Sequence, residues 1–150
     1  EHGTHKPGVG SSNLPPATKT MKKKYKAMVL TCIDPRCQPK INTLMKKKKL
    51  TGEYSLFSIA GSTLGITSKN FKNWEKVFWK NFLISSQIHG IKKLIAINHY
   101  DCGLAKMLSK KKAFNKTIEK KIHEKSFKLL KKRFSKKYPK YILETKIISV

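Results

Sequence analysis

Arginine is nearly missing from a chain crowded with positive charge. Among its 34 basic residues only Arg36 and Arg133 are arginine; with eight acids, the formal charge is +26. Proteins that read bases or phosphates in defined geometry lean on arginine's planar fork, and those that hold single strands interleave aromatics for stacking. Here lysines run through residues 46–49, 110–112 and 136–137, on expected loops and outer helix faces. The expectation is a solvated lysine surface with nonspecific attraction to polyanions and no specific nucleic-acid partner. Long apolar runs are absent too. None approaches the roughly 20 residues that a bilayer crossing needs, so no membrane span is expected. No apolar h-region follows the early lysines, which argues against secretion and for a cytoplasmic protein. Cysteine is scarce and odd in number, at three. That argues against a disulfide framework and favours a metal or catalytic role.

What is present suits one domain of 150 residues with an ordinary hydrophobic fraction of 39%. Residues 1–20 are rich in Gly, Pro, Ser and Thr and lack apolar periodicity. They are expected to be a disordered tail or leader, with Met21 as a start and residues 21–150 as the domain. His2 and His5 in that tail could bind a stray metal without functional meaning. From there, short apolar runs alternate with helical patterns. "KAMVLTC", "YSLFSIAG", "KKLIAINH" and "ETKIISV" suit strands covered on both faces. After Pro39, Ile41, Leu44 and Met45 share one helix face. Phe71, Trp74, Phe78 and Phe82 define another helix, with Gly90 as its stop. Ile118, Ile122, Leu129, Leu130 and Phe134 predict one or two more. The expected fold is therefore α/β: a single domain with a mostly parallel sheet of about four strands and helices on both faces.

Ligands of such sheets bind beyond the carboxyl ends of the strands. The first apolar run ends at Cys32 and the third at His99, and the latter continues as "NHYDCG". His99 and Cys102, three residues apart on a turn, can reach one ion, and Cys32 can supply a third ligand if its strand is a neighbour. Two sulfurs and a nitrogen suit Zn²⁺ rather than calcium or magnesium, and three protein ligands leave one tetrahedral corner free. Cys37 could instead close the shell as a fourth ligand, or it is a free thiol packed under the loop. Asp34 and Arg36 lie beside Cys32 in "VLTCIDPRC". A bidentate arginine would hold Asp34 ionised and in place as an acceptor near the metal, a task lysine performs poorly. An ordinary loop ion pair is the competing reading.

These residues resemble the β-class carbonic anhydrases. Cys32-Ile33-Asp34-Pro35-Arg36 is similar to that family's C-x-D-S-R, "HGIKKLIAINHYDCG" to its strand leading into H-x-x-C-G, and "FSIAGS" to R-N-A-G-N. The resemblance covers about residues 25–108. It implies zinc on Cys32, His99 and Cys102, an Asp34–Arg36 dyad, a homodimer or larger assembly, and reversible hydration of CO₂ to bicarbonate by a zinc-bound hydroxide. Ala60 and Gly61 would then line the substrate pocket, with His89 and His123 as conceivable proton shuttles beside plainer surface or packing roles. Pro35, Ile59 and Ser62 depart from the family pattern. Hydrolysis of a CO₂ isostere such as carbonyl sulfide or carbon disulfide is the alternative on the same site. A non-catalytic zinc-stabilised module that docks on polyanions is the rival from another class.

Overall fold

A computed structural model describes residues 23–110 and 113–150. The expected tail over residues 1–20, with His2 and His5, lies outside the described residues. Four strands, β1 (Ala27–Thr31), β2 (Tyr54–Ser58), β3 (Lys93–His99) and β4 (Ile142–Ile148), form one sheet in the order β2-β1-β3-β4. All three pairings are parallel. The connecting helices are α1 (Cys37–Lys47), α2 (Thr63–Thr67), α3 (Lys72–His89), α4 (Gly103–Ser109) and α5 (Lys116–Lys137), with a 3₁₀ turn at Lys69–Phe71. The α/β expectation and the parallel four-stranded sheet hold.

Residues of the central strands β1 and β3 alternate between two cores, as a pleated strand covered on both sides requires, whereas the edge strands β2 and β4, expected to be covered on both faces, are half-buried or exposed. Ala27, Val29, Ile95 and Ile97 pack with Ile41 and Met45 of α1 and Leu104 and Ala105 of α4. Met28, Leu30, Leu94 and Ala96 pack with Ile66 of α2, Phe78 and Phe82 of α3, and Leu130 and Phe134 of α5. Each fully buried aliphatic or aromatic side chain contributes about 1.5–3 kcal/mol.

The helix ends follow local chemistry. α1 begins at Cys37, two residues before Pro39. The proline thus sits in the first turn, where its missing N–H leaves no helical bond unmade. α3 stops at Gly90, whose φ of +68° is the left-handed conformation that ends helices. The pattern over residues 118–134 forms the single helix α5, but its buried residues are Glu119, His123, Ser126, Leu130 and Phe134. Ile118 and Ile122 are only half-buried. The stripe is polar in its first half, and that half lies near the carboxyl end of the sheet.

The chain leaves β1 toward one side to make β2 and then crosses to the other side for β3. Strand order therefore reverses between β1 and β3, and their carboxyl ends flank the crevice where parallel sheets bind ligands.

Candidate metal centre

The register pairs Leu30 with Ala96. Continuing it two residues brings Cys32, just past the end of β1, level with Asn98 and beside His99 at the tip of β3. A tight turn then returns Cys102 to the same place. Asp101 makes this turn with a φ of +59°. Cys32, His99 and Cys102 are all buried, and their ligand atoms lie within 4.8 Å of one another. Sequence spacing alone could not show that two strand tips meet; the parallel pairing of β1 with β3 does it.

The His99 Nδ1–H donates to the Tyr100 carbonyl at 2.7 Å. In the neutral ring that leaves Nε2 with a lone pair, and Nε2 is fully buried and has no hydrogen-bond partner. A buried acceptor without a donor costs free energy unless a cation meets it. The side-chain hydrogen bond with Cys102 favours a thiolate at Cys32 and holds it down at about 4, and the same bond, with burial, raises Cys102. The Gly61 N–H, at 3.3 Å from Cys32 Sγ, also favours a thiolate there. Two sulfurs, one of them in surroundings that favour a thiolate, and an orphaned imidazole nitrogen form a donor set that fits a soft or borderline divalent ion.

Beside this cluster Arg36 grips Asp34 with both ends of its fork. Nε donates to Oδ1 at 3.1 Å and Nη2 to Oδ2 at 2.8 Å, and the Arg36 backbone N–H also reaches Oδ1 at 2.9 Å. These bonds hold the Asp34 carboxyl down at about 2. Asp34 Oδ2 lies 3.9 Å from His99 Nε2. Arg36 has a second task that sequence reasoning missed. Its Nη1 donates to Asp101 Oδ2 at 2.9 Å and its Nη2 to the Asp101 carbonyl at 3.2 Å. One guanidinium thus ties the loop after β1 to the turn after β3, and the acid just before Cys102 was the available signal. Arg133 is likewise occupied, donating to Glu75 Oε1 at 3.2 Å.

Cys37 is buried at the start of α1, outside the group of three, and desolvation pushes its thiol up to about 11. Ala60 is half-buried and Gly61 buried. The space freed by the missing Gly61 Cβ is not open to a ligand: a Cβ there would lie 2.4 Å from Leu104 Cδ2. Glycine here admits Leu104 and brings its own N–H to Cys32. Ser62 is buried. The Ile59 N–H donates to the Thr31 carbonyl at 3.0 Å, so the segment continues the β1 edge. His89 ends α3 just before β3, with its ring 4.3 Å from that of Tyr25. That is the opposite end of the sheet from the cluster. His123 is fully buried in a polar network on α5. Both take the plainer packing roles.

A four-stranded parallel α/β sheet with a Cys₂His cluster and an arginine-held aspartate at its switch point defines the class. A family model described as putative carbonic anhydrase matches residues 21–141, and the chain belongs to that family. Two uncharacterized proteins are similar in sequence. One, from Rickettsia bellii (strain RML369-C), is 24% identical over 113 residues, covering 75% of this chain and 69% of that protein. The other, from Rickettsia conorii (strain ATCC VR-613 / Malish 7), is 26% identical over 81 residues, covering 54% and 44%. The chain thus matches less than half the length of the second. Among solved structures, a carbonic anhydrase from Glaciozyma antarctica matches at a TM-score of 0.46 and 18% identity, over 91% of this chain and 79% of that one. A chain from the structures of two tetrameric β-carbonic anhydrases of Sordaria macrospora matches at 0.39 and 13%, over 77% and 52%.

Proposed function

We propose that this protein is a zinc enzyme for the reversible hydration of CO₂ to bicarbonate and a proton. One observation carries the proposal: the buried, partnerless Nε2 of His99 faces two thiols beside a carboxylate that Arg36 keeps ionised. Cys32, His99 and Cys102 would hold the ion, and their donor set suits zinc. Zinc held there supplies Lewis acidity that makes water a nucleophile near neutral pH.

The chain's own residues do the rest. Asp34 Oδ2 gives one lone pair to Arg36 and keeps another for a water's hydrogen, which would turn that water's lone pair toward CO₂. Arg36 fixes the carboxylate's angle through two bonds, so Asp34 cannot swing freely. Ala60 and Gly61 are proposed as pocket wall, with the Gly61 N–H facing the cluster. His89 is at the wrong end of the sheet and His123 is sealed from solvent, so the product proton would leave by water.

A homodimer or larger assembly is part of the proposal. Leu56 on the edge strand β2 and Ile33 beside the cluster are 53% and 60% exposed, which supports it. Three free thiols favour a reducing compartment such as the cytoplasm, and no helix among the described residues is long and apolar enough to cross a membrane. Stopped-flow CO₂ hydration with zinc-loaded wild type and Asp34→Asn tests the reading. A wild-type rate well above background that falls at least tenfold in the variant is expected. Equal background rates would end the claim; sulfide release from carbonyl sulfide in their place would move the same chemistry to that isostere. One bound zinc with no turnover on either gas, and polyanion binding that falls steeply with salt, would favour the non-catalytic module.

A further inference from the structure

The carboxyl end of the sheet rests on a buried polar network that the proposed chemistry does not use. Glu119, His123 and Ser126 line one face of α5 and are 3%, 0% and 3% exposed. Asn98 on β3 faces them. Its Oδ1 accepts from the Thr63 N–H at 3.3 Å and the Thr63 hydroxyl at 2.9 Å, which fixes the amide's orientation. Its Nδ2 therefore donates to His123 Nδ1 at 2.9 Å. Burial lowers the His123 pKa and keeps the ring neutral, and a neutral ring that accepts at Nδ1 carries its proton on Nε2. That N–H donates to Glu119 Oε2 at 3.3 Å.

Glu119 ends the chain of bonds under the metal-binding turn. Its Oε1 accepts from the Asp101 N–H at 2.9 Å and its Oε2 from the Cys102 N–H at 2.8 Å. The first of these amides belongs to a non-glycine residue at a φ of +59°, a left-handed conformation that costs free energy and persists only where surroundings impose it. The second belongs to Cys102 itself. Two converging N–H groups need an acceptor-only partner, and a carboxylate is one. The Arg36 bonds to Asp101 hold the turn from its exposed side, and Glu119 holds it from below.

We propose that Glu119 is a positioning residue that sets the His99–Cys102 turn in its metal-binding shape, itself oriented by Asn98 through His123. This rests on the metal centre proposed at Cys32, His99 and Cys102. Outer partners that orient ligands typically change metal affinity by about 10–100-fold when removed. Zinc affinity, measured by competition with a chromophoric chelator, and the visible spectrum of the Co²⁺-loaded protein provide the test. Glu119→Gln, which turns an amide NH₂ against one of the two N–H groups, should bind zinc about 10–100-fold more weakly and alter the thiolate-to-cobalt bands. Ser85→Ala removes a buried hydrogen bond, to the Ser55 hydroxyl at 2.7 Å, on α3 and outside this network. It should lower thermal stability and leave zinc affinity within about twofold. Glu119→Asp, with its charge kept but its reach shortened, should fall between wild type and Glu119→Gln. If Glu119→Gln does not fold, Glu119→Asp and His123→Gln decide, and unchanged affinity in both overturns the proposal. Equal affinity in wild type and Glu119→Gln, or an equal loss in Ser85→Ala, also overturns it while leaving the metal centre standing. A wild type that holds no zinc overturns the metal centre instead.

Discussion

Replacing Gly61 with alanine puts one methyl group where three side-chain carbons already crowd. The new Cβ would lie 2.4 Å from Leu104 Cδ2, 3.1 Å from Leu104 Cβ and 3.1 Å from Leu64 Cβ. Leu104 can rotate its terminal methyl away, but the two Cβ atoms are fixed to helices α4 and α2 and must move with them. Overpacking of this kind costs about 1–3 kcal/mol. The φ of +75° adds about 1–2 kcal/mol for an L-residue in the left-handed region. The expected loss in urea denaturation is therefore about 2–5 kcal/mol, a large share of a small domain's stability. The Gly61 N–H should also draw away from Cys32 Sγ, weakening zinc binding. A double-mutant cycle separates the causes. In a Leu104→Ala background the contact with Cδ2 is gone and the overpacking part should fall by about 1 kcal/mol or more, whereas the two contacts with Cβ atoms and the backbone strain should persist. A cost below 1 kcal/mol in the wild-type background, or an identical cost in both backgrounds, would refute close packing as the reason for glycine here.

Cys37→Ser should destabilise the protein by about 1–3 kcal/mol through a buried hydroxyl, while metal analysis still finds one zinc per chain; loss of zinc would make Cys37 a ligand. Chelator treatment should lower the thermal midpoint of wild type, because binding to the native state adds stability; a Cys102→Ala variant should show no such shift. Glu144, paired with Lys93 at 2.7 Å and Lys48 at 3.0 Å, has its carboxyl lowered chiefly by Lys93. Its stabilisation should be present above the ordinary carboxylate range and vanish as pH falls through the lowered folded value. Partly exposed pairs are screened, so Glu144→Gln should cost about 0.5–1 kcal/mol at pH 7 and progressively less as acid protonates the carboxyl; a difference that stays constant on acidification would count against the pairing. Arg36→Lys should let the Asp34 carboxyl rise from about 2 toward its ordinary value, seen by NMR titration of the zinc-free protein; an unmoved Asp34 would show that the guanidinium is not what lowers it.

Much of this molecule is written in local pattern. Short unalternating apolar runs and aromatic residues at helical steps declare a parallel sheet between helices, because strands covered on both faces need no polar side and amphipathic helices need one. Gly90 marks a helix end because only the left-handed conformation turns the chain there. Cys32, His99 and Cys102 stand out through residue type and spacing at strand ends. The departures occur where partners are distant in sequence. The stripe on α5 reads as Ile118 and Ile122 by periodicity, yet Glu119 and His123 are the buried pair, since the turn at Asp101–Cys102 offers two N–H groups that need an acceptor. Sequence alone does not show that Leu104 fills the space a Gly61 Cβ would take. Arg36 reads as a clamp on one acid and holds two. Composition and periodicity alone determined the layers, the strand count and the residues able to bind a metal. The pairing of β1 with β3, the meeting of the two thiols, the partnerless nitrogen of His99 and the brace from α5 were decided only by tertiary structure, because each depends on groups tens of residues apart that become neighbours when the sheet closes.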